Sequence, residues 1–356
     1  MLDALTLERR QTVGPLLTGA TFVGALAVAA LLAAAILVVA GVPAASLIDE
    51  LIVQVFLTTD GLAQTTTAAI PLVFVGLSAA LAFRLGFWNI GIEGQFWIGA
   101  ILATAVATGD LGPEPVRLLP LLLAATLGGA AWIALPLYLK LRWSVSEVVA
   151  TLMLSNIAYL LLQHVLFGAL RDPAANFPVS ANFDPAERLP GLGWGEVHAG
   201  LILAVLAVLA CTVLIRATRL GFYAEVVGSA PSVAAAAGLP VAHTTALFVL
   251  LSGAMAGLAG GIVVAGTEHR LTQFVGLNMT FGGIVVAVLA RLEPLAVVPA
   301  AFFMAGLAVA GATLKVFYGV SEGIVLLIQG ITLLCILIAQ FFATFRISLR
   351  HAAPAA

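Results

Sequence analysis

From Gln11 to Ile48 the chain carries no charged residue, and uncharged or nearly uncharged apolar runs recur along the rest of the sequence. A helix needs roughly 20 apolar residues to cross the hydrocarbon core of a bilayer. This one feature therefore restricts the fold more than any motif does. Only 9% of the 356 residues are charged and 62% are hydrophobic, against about a quarter charged in a soluble domain. A water-soluble globule would lack polar surface to cover itself. Disorder is excluded as well, since it needs low hydrophobicity and high charge. Two cysteines, Cys211 and Cys335, both inside apolar runs, exclude a disulfide scaffold and read as small buried hydrophobes. What remains is an all-α polytopic membrane protein.

The first run follows Arg9-Arg10 and is far longer than the apolar part of a signal peptide, so it reads as an uncleaved first helix. Nine further candidates fall at about 65–84, 88–109, 117–139, 146–167, 199–216, 243–265, 279–291, 295–314 and 323–345. The eighth, with Gly282-Gly283 inside it, is short enough to be a broken or tilted segment. With the N-terminus placed in the cytoplasm, ten of the fifteen Lys and Arg residues fall inside, as the positive-inside rule asks. Eleven of the seventeen acids fall outside. Both termini are thus expected to be cytoplasmic. The count divides into halves of opposite orientation, about 16–167 and 199–345, joined by an external loop at 168–198. That is the arithmetic of two inverted five-helix repeats in a single transmembrane domain over 1–356.

The external loop holds Pro173, Pro178, Pro185 and Pro190, too many for a long helix. It reads either as a cap on the outer mouth or as a solvated connector. The cytoplasmic connection, 217–242, predicts a short helix near 229–238. Ser229 is placed to cap it and Pro231 suits its first turn. Four alanines favour it, Gly238 ends it in the left-handed region and Pro240 blocks continuation. A two-turn helix is unstable alone, so it packs either on a cytoplasmic partner or on its own bundle. Gly253, Gly257 and Gly261 give the seventh span a smooth face for close helix contact.

Polar residues at membrane depth are few. Glu93 lies in Asn89-Ile90-Gly91-Ile92-Glu93-Gly94-Gln95, at the start of the third span. A charge there costs roughly 2.5–3.5 kcal/mol on insertion scales, so it must face a cavity or be hydrogen-bonded. Asn89 and Glu93, four apart, would share a helix face. The cluster reads as lining a pathway or as a structural pair between the second and third spans. Glu147 opens the fifth span, followed by Thr151, Ser155 and Asn156. At that position it favours the helix N-terminus electrostatically. His164, His243 and His269 have no metal-ligand spacing, and no catalytic arrangement can be argued from the sequence.

Neither lysine, Lys140 or Lys315, follows a glycine, so the nucleotide-binding loop Gly-x-x-x-x-Gly-Lys-[Ser/Thr] is absent. If ATP drives this protein, the motor is another subunit. An ion-driven carrier, which would need intramembrane ionisable groups, and a passive channel are the rival classes.

The stretch from Phe83 to Gln95, Phe-Arg-Leu-Gly-Phe-Trp-Asn-Ile-Gly-Ile-Glu-Gly-Gln, resembles the signature of permease subunits of bacterial ABC importers, in the branch for simple sugars and nucleosides within the branched-chain-amino-acid/ribose-type superfamily. Three further stretches agree in order: Ser146 to Asn156, Thr218 to Gly238, and Phe281 to Pro294. The resemblance implies a subunit of the bacterial cytoplasmic (inner) membrane, surrounded by lipid, that carries a small hydroxylated solute, nucleosides first and simple sugars second. It implies three kinds of partner: a second permease, identical or related; two cytoplasmic ATP-binding subunits; and an extracytoplasmic substrate-binding protein or lipoprotein. Nucleic acid is not among them. ATP and Mg would be used by the partner ATPase, with no cofactor or metal bound by this chain.

The resemblance also implies that Asn89, Glu93 and Gln95, with Glu147, Thr151 and Asn156, line the translocation pathway. Arg219, Gly221, Glu225, Gly228, Ser229, Pro231, Ser232, Ala234 and Gly238 would form the segment that couples to the ATPase. Where the family often has Asn, Glu and Arg on that segment, this chain has Ala230, Ser232 and Ala235. Docking would then fall to Arg219, Glu225 and the helix ends, which fits one half of an unequal permease pair.

Overall fold

The computed structural model describes residues 5–9, 15–109 and 116–349. Hydropathy dictates most of what forms: apolar helices follow one another in the expected order, because a buried or lipid-facing backbone must satisfy its own hydrogen bonds. They are α1 (Pro15–Val39), α2 (Thr59–Phe83), α3 (Ile92–Thr108), α4 (Leu118–Trp143), α5 (Glu147–Phe167) and α6 (Gly200–Ala217). Two short helices, α7 (Arg219–Ser229) and α8 (Pro231–Ala236), come next, then α9 (Val241–Val263), α10 (Met279–Leu289), α11 (Pro294–Tyr318) and α12 (Glu322–Thr344). Among the described residues, seven helices are long and apolar enough to cross a membrane, and three shorter apolar ones occupy Val23–Val39, Ile92–Thr108 and Met279–Leu289. Leu119, Leu123 and Leu127 on α4, and Ile202, Leu206, Leu209 and Val213 on α6, leave apolar side chains uncovered by the chain. Such faces suit lipid or another apolar partner, not water.

Two compact units divide the described residues. The first holds residues up to Gln54 and from Ala310 onward. In it α1 packs on α12, around Leu37, Val42, Leu314 and Val320. Tyr318 donates to Glu50 across 3.2 Å. Beyond the helices, β1 (Leu5–Arg9) pairs antiparallel with β2 (Phe345–Leu349), Leu7 opposite Ile347. Both segments alternate apolar and polar residues, the period of a strand. The expectation of a helical bundle thus holds, with a ribbon joining its two ends.

The second unit, Val55–Val309, holds the features of functional interest. Its centre is a seam of α3, α4 and α9 packed backbone to backbone. A Cβ at Gly257 would strike the carbonyl of Ala125, one at Gly99 would strike Gly257, and one at Gly129 would strike Gly253. Helices in lipid associate through such close approach, because burial between lipid-like side chains gains little. Two of the non-helical links in this unit bear on the site. Residues 84–91 lead from α2 into α3, and residues 269–278 lead from α9 into α10. The helices that follow these links are cross-packed: α3 lies on α9 and α10 lies on α2. With eleven residues, α10 spans roughly 16 Å at 1.5 Å per residue, about half the hydrocarbon thickness.

The proline-rich segment 168–198 is anchored rather than free. Ser180 N–H donates to the Leu271 carbonyl, Phe183 N–H to that of His269, and Leu189 N–H to that of Ala265. Phe183 and Leu189 are buried. Arg117, just before α4, donates to Glu187 at 2.8 Å, and both side chains are nearly sealed from solvent. Glu187 also accepts from the Asp184 N–H, closing a capping box.

Candidate translocation and coupling sites

The link into α3 is held by its own amides. Asn89 sits outside the helix and is fully buried. Its Nδ2 donates to Gln95 Oε1 (3.0 Å) and Ser252 Oγ (3.1 Å). Its Oδ1 accepts from Gln95 Nε2 (2.8 Å) and from the Gly91 N–H (3.1 Å). Ser252 in turn lies 3.0 Å from Ser78 Oγ, which ties α9 to α2. Every polar atom of the Asn89 amide is thereby used, as a buried amide requires.

The expectation that Asn89 and Glu93 share a helix face is corrected. Gly86 turns left-handed at φ 71° and α3 begins only at Ile92, so the periodicity of a helix does not apply between the two. Glu93 goes elsewhere and is only partly buried. Its N–H donates to Thr280 Oγ1 (2.9 Å), while its carboxylate accepts from the Thr280 N–H (3.4 Å). The second residue of α3 and the second residue of α10 therefore cap each other. A helix start leaves free N–H groups and favours negative charge, so Glu93 suits the start of α10.

Helix α5 closes against the same region. Thr151 Oγ1 accepts from the Ile90 N–H (3.2 Å), and Ser155 Oγ accepts from the Gly94 N–H (3.1 Å). Cβ atoms at Gly91 and Gly94 would collide with the backbones of Thr151 and Ser155. Glu147 pairs with Lys140 at 2.6 Å across the α4–α5 turn. Asn156 is not brought into this group: it lies exposed and donates to the Leu152 carbonyl one turn back.

The connection after α6 carries more helix than expected. Thr218 caps α7 by accepting from the Gly221 N–H (3.3 Å). The cap position for α8 also needs correction. Ser229 is the last residue of α7 and donates to the Val226 carbonyl (3.2 Å), while Ala230 precedes α8 without a side-chain cap. Helix α7 outcompetes the cap because Val226 and Ser229 are already in its last turn. Gly238, at φ 75°, terminates the segment as expected. Of α8 only Ala234 is buried; Pro231, Ser232 and Val233 are exposed, as are Arg219 and Glu225 on α7. Gly221 abuts the carbonyl of Ile215, and Gly228 abuts that of Arg84 at the end of α2. These two glycines, with the buried Ala224 and Val227, seat α7 on the bundle, while Phe222 and Glu225 face outward.

The residues of this unit meet a family of known proteins. A family model described as branched-chain amino acid transport system / permease component matches residues 61–337. The chain belongs to that permease family. It is 35% identical over 358 residues to a glucose ABC transporter permease of Haloferax volcanii, covering 97% of this chain and 94% of that one. It is 30% identical over 275 residues to a guanosine ABC transporter permease of Bacillus subtilis, covering 76% and 79%. With a nucleoside ABC transporter permease of Lactococcus lactis subsp. cremoris the identity is 27% over 266 residues, covering 71% and 72%. The resemblance carried by Phe83 to Gln95 is borne out, and the permease is a multi-pass membrane protein.

Two groups in the permease escape a reading of sequence alone. Glu293, between α10 and α11, accepts from Arg84 (3.1 Å) and Arg216 (2.8 Å). All three residues are visible as charges at span ends, but nothing in their spacing says that they meet. The second is His198, buried before α6, whose Nδ1 accepts from the Gly200 N–H (3.1 Å). Gly200 and Gly266 leave room for its ring. Among the described residues no group of three His, Cys, Asp or Glu side chains is placed to hold a metal.

Proposed function

We propose that the chain is the transmembrane permease of an ATP-driven importer in the cytoplasmic membrane, carrying a small hydroxylated solute, a nucleoside or a simple sugar. The observation that carries the reading is the 217–242 segment in a chain of this family. It is seated by Gly221 and Gly228, and it turns Pro231, Ser232 and Val233 outward. A separate ATPase pair, using ATP and Mg, docks there. The chain has no nucleotide-binding loop of its own. A second permease, identical or related, and an extracytoplasmic binding protein complete the assembly. The relatives named for glucose and for guanosine support the solute class.

Ten crossings are the count that fits best. Pairing of β1 with β2 holds both chain ends together, which needs an even number of crossings between them. The halves about 16–167 and 199–345 are read as inverted repeats, supported by the matched non-helical links before α3 and α10. In this reading Glu93 faces the pathway. Asn89, Gln95 and Thr151, buried behind it, fix its backbone, and Glu147 anchors α5; Asn156 lies on the opposite side of α5, toward a second permease. The test is co-expression with the cognate ATPase and binding protein in proteoliposomes. Uptake of a sugar or nucleoside should require ATP inside and the binding protein outside. Uptake by the chain alone, abolished by collapsing an ion gradient, would replace this reading with an ion-coupled carrier.

A further inference from the structure

We propose that Glu293, bridging Arg84 and Arg216, is the positioning residue through which movement of the coupling segment reaches the half-helix α10. The inference rests on the reading that an ATPase docks on 217–242, and goes beyond it by naming the route into the membrane.

The route is continuous in contacts. Helix α7 leans on the carbonyl of Arg84 through Gly228, where even a methyl group would not fit. The same residue extends its guanidinium to the other side. There it donates to the Leu292 carbonyl (2.8 Å) and to Glu293 Oε1 (3.1 Å). Glu293 Oε2 accepts from Arg216, which lies two residues before the cap of α7 (2.8 Å). One carboxylate thus joins the end of α2 to the end of α6, the two places at which α7 is held.

Glu293 sits on an unusual turn. Arg291 and Leu292 both adopt left-handed backbone, at φ 53° and 62°. Neither is glycine, and such residues persist only where the surroundings over-determine them. Arg84 supplies that constraint by gripping the Leu292 carbonyl. The turn is the base of α10, which is seated on α2 by Gly76 against Val286 and by Gly283 against Val75. A helix of eleven residues moves as a rod. Its far end is Thr280, interlocked with Glu93. Displacement of Arg84 or Arg216 by α7 therefore shifts the α10 base and pulls Thr280 against Glu93. The neutral variant of Glu293 separates transmission from docking.

The experiment uses the complete importer, reconstituted with its ATPase and binding protein, and reads two quantities: ATPase retained on the purified permease, and solute taken up per ATP hydrolysed. Glu293→Gln should retain the ATPase and lower uptake per ATP by roughly three- to thirtyfold, the span over which single positions change coupling. Glu293→Asp, which keeps the charge, should recover most of it. Arg216→Gln, at a more exposed position, should give a smaller loss in the same direction and serves if Glu293→Gln fails to assemble. Unchanged uptake per ATP in Glu293→Gln, or in Arg216→Gln where only that variant assembles, overturns the inference while the docking reading stands. Failure of the wild-type permease to retain an ATPase overturns the docking reading instead.

Discussion

Asn89 shows how one side chain decides a local fold. Replacing it with Ala leaves Ser252, Gln95 and the Gly91 N–H without their partner. Unmet buried polar groups cost about 1–3 kcal/mol, so Asn89→Ala should lower the thermal unfolding midpoint in detergent clearly, whereas Asn156→Ala, at an exposed position, should not. Two other residues destabilise the permease on acidification, each in its own pH range. Burial, with repulsion from His269, pushes the His198 imidazole down to about 4 from an ordinary 6.5. Between those values the unfolded chain binds the proton and the folded one does not, so stability falls as pH drops through that window. Arg216 chiefly, with Arg84, holds the Glu293 carboxyl below its usual range against a smaller opposing effect of burial. Its contribution is present above the ordinary carboxylate pKa and is lost only as pH falls through the lowered value. Unfolding followed from pH 7 to 4.5 should therefore flatten in His198→Asn and keep its slope in Glu293→Gln. A slope unchanged in His198→Asn would contradict the burial assigned to that ring.

At the scale of elements, the spans are legible because hydropathy is local: each run carries its own requirement to cross or be covered. The small-residue face of the seventh span is legible too, and the structure assigns its partners as Gly129 and Ala125 of α4 and Gly99 of α3. Gly257→Ala should overpack this seam and cost about 1–3 kcal/mol, while Gly24→Ala, with open space around it, should be neutral on the same unfolding assay. The helix starts are less legible. The prediction of a helix from 88 misplaces Asn89 because the left-handed Gly86 and the amide network compete with helix there. Helix α7 is missed because glycine is a poor helix former, although the lack of side chains at Gly221 and Gly228 is what lets α7 press on Ile215 and Arg84. On the exposed apolar face of α8, Val233→Asp should reduce the ATPase retained on purification without lowering the amount of folded permease, since that side chain is 60% exposed.

For the whole molecule, the β1–β2 ribbon sets a condition that reporters fused to the two ends can check: both should be active in the same compartment. Activity in opposite compartments would rule out an even number of crossings. Fold class, membrane residence, the order of the spans and the family all follow from the sequence, because apolar runs and short motifs such as Phe83 to Gln95 carry their meaning without neighbours. Only tertiary structure decides which polar groups meet. Asn89 finds Ser252, Glu93 finds Thr280 and Arg84 finds Glu293 across long stretches of chain. The physical reason is range: hydrophobic transfer acts on each segment by itself, whereas a hydrogen bond or ion pair exists only within about 3 Å, a distance that packing alone sets.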